Sequence, residues 1–399
     1  MKNSKMVFII IFGMIIFDGF WGTKVNACTT AIISPAASEN GTPMLWKNRD
    51  TDYLSNKVVY VKEVPYSYVG LVNEKDTSGR IVYAGLNSEG FGIMNSVAYN
   101  LPEKSREMKD LEGMIMAEAL RTCRTVTDFE NFIRENLGES LGSWANFGVI
   151  DGEGNAFIFE VHNHGYEKFN TADTPEKYMI NSNFSRSGVE GKGAGYLRFE
   201  RASYLFKKIP VGKIASQYIF EKISRDFGNA LLEQPSLDDL SSLTSKKFWW
   251  VNARDSINRV STASAIVICG RNPSNKKSIA TFWVLLGEPV TSIAVPVWVE
   301  SGTTPKPLFE GQSASICEEA LRIKKKIHPY SESDKEQYML ISILDNKEKT
   351  GFLPGILKIE KEIYLETQEF LKVDHTTEEL VVFQEKMAQK ALNALKEIK

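Results

Sequence analysis

Short runs of alternating apolar and polar residues recur along the first hundred positions, and this alternation is typical of strands that bury one face. Turn residues separate the runs, among them Gly41 and the NSEG segment at 87–90. The pattern predicts strands at residues 30–33, 43–46, 57–64, 81–84 and 90–97. We therefore expect the N-terminal part of the chain to be rich in β-structure.

Helical spacing appears at residues 111–121 and 128–137, where Thr127 is placed to cap the second helix. Strands are predicted again at 145–150, 155–161 and 177–180, followed by helices at 197–208 and 213–225. Residues 264–269 and 279–286 are apolar enough for central strands of a sheet covered on both faces. Because strands and helices come in blocks, the chain is expected to form layered α/β sheets. No G-x-G-x-x-G run follows a strand, which excludes a Rossmann arrangement.

The composition changes beyond about residue 301, where a proline-containing connector at 303–307 precedes an amphipathic helix at 315–326. Further long helices are predicted at 360–373 and 378–398. We therefore divide the chain into a main domain at 28–300 and a helical C-terminal extension at 301–399. The extension is a candidate oligomerisation or lid element, and a homo-oligomer stays open.

Residues 1–27 have the pattern of a secretion signal: Lys2 and Lys5, an apolar run at 6–17, and a polar tail that ends at Ala27. The apolar run is shorter than the roughly 20 residues of a membrane-spanning helix. We predict a cut before Cys28, export to the periplasm or the extracellular space, and no membrane attachment afterwards. An uncleaved anchor and a lipoprotein acylated at Cys28 are the alternatives, and Asn26 fits a lipoprotein signal poorly.

The charge and the cysteine content limit the classes of partner that the chain is expected to bind. The 399-residue chain has a formal net charge of -2 without long blocks of one sign, so there is no electrostatic argument for nucleic acid or anionic lipid. A small molecule or a peptide is the expected partner. The four cysteines are widely separated and form no zinc or thioredoxin motif, although a disulfide among Cys123, Cys269 and Cys317 stays open.

A cut before Cys28 would place a thiol and a free α-amino group on one residue. A thiol is mostly protonated near neutral pH, whereas an α-amino group titrates at about 7.7–8.0 and is partly a free base there. The amine can take the thiol proton directly or through one water, so no histidine is needed. Cys28 is therefore the candidate nucleophile, with its own amine as the base.

The stretch from Cys28 to Asp50 resembles the start of the N-terminal-nucleophile hydrolases of the acyl-coenzyme A:6-aminopenicillanic acid acyltransferase family and of the related choloylglycine hydrolases. Those families open with Cys-Thr or a similar pair and later carry a G-x-N-x-D-like element, which here is WKNRD at 46–50. Trp46 replaces the glycine, and Lys47 stands where the choloylglycine hydrolases have an arginine, so a cation that can stabilise a thiolate is kept. By this resemblance Asp50 is the aspartate beside the terminal amine. Without the resemblance, Asp50 would be an ordinary turn acid.

Three further elements follow in the order of those families. Asn95, or a backbone N–H near it, resembles an oxyanion donor, although a buried hairpin asparagine would look the same. Asn183 matches the oxyanion amide of a Thr-Asn element, and Asn181 is the alternative if the register differs. Arg198 matches the first arginine of a Ser-Arg-Phe-x-Arg-Ala helix start, whose side chain reaches the catalytic centre in the choloylglycine hydrolases.

A metal site was considered at Glu160, His162 and His164, because period-two alternation would place all three on one face of a strand. The chain has four histidines, and the other two lie far away in sequence. We therefore expect an exposed strand end and no metal.

The resemblance covers roughly residues 28–299 and implies a four-layer αββα sandwich. It also implies hydrolysis of linear, non-peptide C–N amide bonds in small N-acyl compounds, without a cofactor. Two other functions stay open: transfer of the acyl group to an amine, and a non-enzymatic exported lipoprotein. We favour hydrolysis because an exported compartment supplies water and not acyl-coenzyme A.

Overall fold

The computed structural model describes residues 27–102, 109–275, 278–330 and 337–399. The predicted signal segment, apart from Ala27, lies outside the described residues. Among the residues described, no helix is long and apolar enough to cross a membrane.

The strands follow the alternating pattern and many are buried on both faces. In chain order they are β1 (Ala27–Ile33), β2 (Met44–Asp50), β3 (Asn56–Val61), β4 (Tyr68–Asn73), β5 (Ala84–Asn87), β6 (Gly92–Val97), β7 (Trp144–Ile150), β8 (Ala156–His162), β9 (Gly165–Asn170), β10 (Tyr178–Asn181), β11 (Trp250–Asn252), β12 (Thr262–Cys269), β13 (Thr281–Leu286), β14 (Val295–Val297) and β15 (Tyr338–Leu340).

The helices lie in two groups along the chain. They are α1 (Glu112–Thr122), α2 (Val126–Glu135), α3 (Tyr196–Lys207), α4 (Ser216–Tyr218, continued by a π-helical turn at Ile219–Ile223), α5 (Lys306–Phe309), α6 (Ser315–Ile327), α7 (Leu353–Phe370) and α8 (Thr377–Glu397). The last four form the helical C-terminal part of the chain.

Two antiparallel sheets face each other in the middle of the molecule. Sheet one has the strand order β10-β1-β2-β12-β13-β14, and sheet two runs β3 to β9 in chain order. β11 and β15 form a separate pair. The sheets approach closely at Gly148, where a Cβ atom would lie 2.9 Å from both Ile32 Cγ1 and Met94 Cε. Apolar residues of both sheets therefore share one core between them.

Helices cover the outer face of each sheet. α1 and α2 cover sheet two through an aromatic cluster in which Phe129 packs edge-on against Phe159, with ring centroids 5.2 Å apart. Sheet one is covered by α3 and by the C-terminal helices; Trp46 lies 5.8 Å from Phe206, and Trp283 lies 5.7 Å from Tyr364. The predicted αββα sandwich with a helical C-terminal extension is confirmed.

Some local predictions were wrong. The second helix begins earlier than expected, because Thr125 and not Thr127 accepts the N3 backbone hydrogen bond and forms a capping box with Asp128. Strands β4, β9, β11, β14 and β15 were missed, and most of 81–84 precedes β5 rather than forming a strand. Residues 213–225 form only a short α-helix and a π-helical turn. The boundary at residue 300 stays a prediction.

Candidate active site

Cys28 lies on β1, next to the centre of sheet one. β1 pairs with β2 in a register that sets Cys28 opposite Arg49 and Ala27 opposite Asp50. Directly opposed residues of an antiparallel pair project to the same side of the sheet. Cys28 is only 9% exposed and Ala27 only 4%. The bond between them is therefore inside the sheet.

Asn183 and Arg198 both bind the backbone of Cys28. The Cys28 N–H donates to Asn183 Oδ1 over 3.1 Å. Arg198 Nη1 donates to the Cys28 carbonyl oxygen at 2.7 Å, and its Nη2 donates to Asn183 Oδ1 at 2.8 Å. Asn183 Nδ2 donates to the Val97 carbonyl at 2.9 Å, which fixes the orientation of the amide. A residue from the end of sheet one and a residue from α3 thus converge on one backbone position.

Gly195 makes room for this arrangement at the start of α3. It has a φ of +77°, a left-handed conformation that favours glycine. A Cβ atom there would lie 2.0 Å from Ser182 Oγ and 2.2 Å from Arg198 Nη2. Ser182 Oγ in turn donates to the Cys28 carbonyl at 3.3 Å. Glycine at this position therefore lets two donors approach Cys28.

Asp50 lies at the end of β2 and is surrounded by donors. Thr262 Oγ1 donates to Asp50 Oδ1 at 2.7 Å, and Arg259 Nε donates to Oδ2 at 2.9 Å. Arg198 Nη1 is 3.8 Å from Asp50 Oδ2. Burial and the neighbouring charge of Arg259 together lower the pKa of Arg198 to about 10, although Asp50 and Cys28 act in the opposite direction. Arg198 thus carries its charge at neutral pH and connects Asp50 with the Cys28 backbone.

Lys47 lies on the other side of β2 and faces sheet two. Its Nζ donates to Asn95 Oδ1 and to the Tyr83 carbonyl, each at 2.8 Å. Burial lowers the pKa of Lys47 to about 8, and the negative charge of a Cys28 thiolate acts against that decrease. Lys47 is therefore within electrostatic reach of the thiol, and it holds the side-chain oxygen of Asn95.

Arg49 is a second buried cation on this side. It donates to Asn56 Oδ1 and, at 2.8 Å, to Asn73 Oδ1, and its guanidinium lies 3.4 Å from the centroid of the Tyr83 ring. Burial lowers its pKa to about 10, whereas Tyr83 and Cys28 raise it. Two cations therefore adjoin Cys28 on the side of sheet two.

The expectation of an exposed strand end is wrong at Glu160, because this side chain is fully buried. β8 ends at His162, so His164 lies in the following turn and is not on the strand face. Glu160 accepts hydrogen bonds from the N–H groups of Arg186 and Ser187, each at 2.7 Å. Within the described ranges, no group of three or more His, Cys, Asp or Glu side chains could hold a metal ion. The carboxylate of Glu160 instead anchors the loop that follows Asn183.

The structure brings Cys28, Asp50, Asn183 and Arg198 together, whereas Asn95 binds Lys47 on the side of sheet two. Their catalytic roles stay predictions. Asn181, the alternative to Asn183, accepts a hydrogen bond from Arg186 and donates to the Phe184 carbonyl at 3.4 Å. All four cysteines are free thiols, so the structure shows no disulfide among them.

Sequence reasoning missed three polar partners of the site, namely Arg49, Arg259 and Thr262. Period-two alternation from Cys28 and the β1–β2 hairpin could have placed Arg49 on the face of the thiol. Arg259 and Thr262 belong to a turn far along the chain, and no local signal joins that turn to Asp50. Long-range pairing of β2 with β12 brings it there.

Comparisons with known proteins give structural likenesses only. No family model and no curated protein matches the chain. A conjugated bile acid hydrolase from Clostridium perfringens is similar with a TM-score of 0.41 and 11% identity, over 67% of this chain and 92% of that one. A penicillin V acylase from Agrobacterium tumefaciens is similar with a TM-score of 0.39 and 12% identity, over 68% of this chain and 86% of that one. A penicillin G acylase from Alcaligenes faecalis is similar with a TM-score of 0.34 and 9% identity, over 48% of this chain and 51% of that one.

Proposed function

We propose that the chain, once it begins at Cys28, is an amidohydrolase that cleaves a linear, non-peptide amide bond of a small N-acyl compound through a thioester on Cys28. The observation that carries this proposal is the contact of Asn183 Oδ1 with the Cys28 nitrogen, while Arg198 binds both residues. This arrangement holds the nitrogen of the candidate nucleophile in one place, as a residue that supplies both nucleophile and base requires.

The first half of the reaction forms the thioester. The α-amine of Cys28 takes the thiol proton, and the sulfur attacks the amide carbonyl carbon. Lys47 and Arg49 stabilise the thiolate electrostatically because both are buried cations within its reach. The proton then passes from the α-amine to the leaving nitrogen, so that a free amine departs and the acyl group stays on sulfur.

The oxyanion of this step needs donors. Asn183 Nδ2 carries two hydrogens, and the bond to the Val97 carbonyl takes one of them. We assign the second hydrogen, together with a backbone N–H near Asn95, to the oxyanion. One well-placed donor of this kind contributes roughly 3–4 kcal/mol to the transition state.

Water completes the cycle. The α-amine removes a proton from water, hydroxide attacks the thioester carbonyl, and the carboxylic acid leaves while the thiol is restored. An amine that replaced water would make the same site an acyltransferase. An exported location, itself a prediction, supplies water in excess and favours hydrolysis.

The test uses protein that begins at Cys28 and a panel of amides: acylated amino acids, penicillins, conjugated bile acids and fatty amides. Free amine and free acid are quantified, and the acyl-enzyme is trapped by acid quenching and assigned by peptide mass. We expect equal amounts of the two products and an acyl mass on Cys28, both absent in Cys28→Ser. An acyl group carried elsewhere, or product formation by Cys28→Ser, would overturn the mechanism.

Two further outcomes separate the alternatives. Transfer of the acyl group to an added amine with negligible free acid would identify an acyltransferase. A diacylglyceryl group on Cys28 of protein isolated from the producing cell would identify a lipoprotein, since an acylated cysteine has no free thiol to attack an amide.

A further inference from the structure

A buried charged cluster joins the C-terminal extension to the main domain, far from Cys28 in sequence. Glu288 is fully buried and accepts hydrogen bonds from Asn258 Nδ2 at 2.7 Å and from His328 Nε2 at 3.1 Å. Lys324 Nζ, on α6, lies 2.9 Å from Glu288 Oε2. Because an unpaired buried charge is costly, these groups hold one another in place.

His328 is the second residue of the C-terminal extension that binds Glu288. Its Nδ1 faces the Tyr338 carbonyl oxygen at 3.1 Å, and its Nε2 faces the Glu288 carboxylate. The ring of His328 therefore lies between two hydrogen-bond acceptors. Glu288 in turn lies between two basic side chains of the C-terminal extension, Lys324 and His328.

Lys324 also binds the turn that carries the partners of Asp50. Besides Glu288, its Nζ donates to the carbonyl oxygens of Val260 and, at 3.4 Å, Thr262. These carbonyls lie in the turn 259–262, which is closed by the Thr262 N–H donating to the Arg259 carbonyl at 2.8 Å. The side chains of Arg259 and Thr262 bind Asp50 from the same turn.

We propose that Lys324 is a positioning residue of the active site: held by Glu288, which also binds His328, it fixes the turn 259–262 and thereby the two donors that orient Asp50 beside Cys28. The C-terminal extension is then a part of the catalytic apparatus and not a separable appendage. The inference depends on the proposed function only for the role of Asp50; the mechanical connection from Lys324 to Asp50 stands on the contacts alone.

The first test separates positioning from general stability. Lys324→Met removes the cation that binds the turn. Arg322→Met is the matched control, because Arg322 is on the same helix and its Nη2 donates at 2.9 Å to the Leu395 carbonyl, away from the turn. Both are assayed at a temperature where circular dichroism shows them folded.

We expect Lys324→Met to lower kcat by about tenfold or more with KM within about threefold, since Asp50 orients reacting groups and does not bind substrate. Arg322→Met should stay within about twofold of the parent protein in both constants. Equal kcat in the two variants, or a change of KM alone, would overturn the proposal. If Lys324→Met does not fold, Glu288→Gln, which weakens the hold on Lys324, is measured in its place.

The second test needs no substrate. Unfolding by denaturant is followed for Lys324→Met, Asp50→Asn and the double variant, and again with Arg322→Met in place of Lys324→Met. If Lys324 is coupled to Asp50, the unfolding constant of the Lys324→Met/Asp50→Asn double variant should differ by about threefold or more from the value expected if the two effects on the free energy of unfolding were additive. The effects of Arg322→Met and Asp50→Asn should be additive. Additivity in the first pair would refute the connection.

The two tests fail in different ways. If the parent protein turns over no amide, the proposed function is wrong, and the unfolding cycle still decides whether Lys324 is coupled to Asp50. If the parent protein is active but the cycle is additive and kcat is unchanged, only the positioning role is wrong.

Discussion

The two sides of the β1–β2 strand pair differ in how their charges are neutralised. On the side of the helices, the Asp50 carboxylate has two arginines and a threonine around it. On the side of sheet two, Lys47 and Arg49 donate to amide and carbonyl oxygens, and no carboxylate among the described residues forms an ion pair with either. Asp110 acts on both cations electrostatically from a greater distance.

This difference separates two tasks. A saturated carboxylate is held rigidly and can orient its neighbours, whereas cations bound only by neutral groups keep a positive potential that a developing anion can use. Cys28 lies in the strand between the two sides. Its backbone is held from the helix side, and its side chain shares the side of the cations.

Asn183→Ala should have the largest effect, because Asn183 binds the Cys28 nitrogen and is the proposed oxyanion donor. We expect kcat to fall about a hundredfold or more. Asn181→Ala, on the same segment, is the control and should change kcat much less. The reverse order would show that the two asparagines had been assigned wrongly. Steady-state kinetics on the best amide of the panel decides.

Gly195→Ala tests the helix side of the comparison. The added Cβ would overlap Ser182 Oγ and Arg198 Nη2, so Arg198 must move, and we expect kcat to fall at least about tenfold. Gly191→Ala is a close control: its φ is +73°, but nothing lies within 4 Å of the added carbon. It carries the left-handed strain without the overlap. Similar losses in both variants would mean that backbone strain alone is responsible.

Lys47→Met tests the side of sheet two. Loss of the cation should slow alkylation of Cys28 by iodoacetamide at neutral pH by about tenfold, because less of the thiol is ionised. Lys57→Met is the control, since Lys57 is also buried and donates to a carbonyl, that of Gly311 at 2.8 Å. Mass analysis of the Cys28 peptide distinguishes this thiol from the others. An unchanged rate would remove Lys47 from the mechanism.

The pH dependence of stability tests the buried charged cluster around Glu288, which binds the turn 259–262 through Lys324. Burial alone would raise the pKa of Glu288, but Lys324 and His328 outweigh it and lower the pKa to about 2. Because the pKa of Glu288 is lower in the folded state than the ordinary value of 4.5, its ionised form stabilises the fold above about pH 4.5. This contribution is lost as the pH falls from 4.5 towards 2. The full contribution is about 3 kcal/mol. Denaturant unfolding at pH 6 and pH 3 should show a smaller loss for Glu288→Gln than for the parent protein; equal losses would contradict the assignment.

Much of the fold could be predicted from the sequence where one pattern dominated. Strands with strong apolar content, such as β12 and β13, were found within a few residues. The candidate role of Cys28, which stays a prediction, came from its own chemistry. Asn183 and Arg198 came from the resemblance and not from a pattern, because an isolated asparagine or arginine carries no local signal. Thr125 was missed although the Thr-x-x-Asp spacing of its capping box is visible in the sequence.

What the sequence could not show depends on long-range pairing. Thr262 meets Asp50 only because β12 lies beside β2, with an irregularity in register between Thr262 and Ser264. Lys324 looks like any lysine of a charged amphipathic helix until α6 is placed against the sheet. Side chains whose partners are hundreds of residues away are fixed by topology, which composition and periodicity do not encode.

The position of Ala27 within β1 sets an order of events. The peptide bond that must be cut to free the Cys28 amine lies in a strand paired with β2, buried on both sides of the bond. If the chain is cut there as predicted, an external protease has to act before this hairpin closes, so the predicted maturation would compete with folding in time. Precursor that folds uncut should resist cleavage there, while the same precursor in denaturant is cut by an added protease of suitable specificity. Rapid cutting of the folded precursor would show that β1 opens readily at its end.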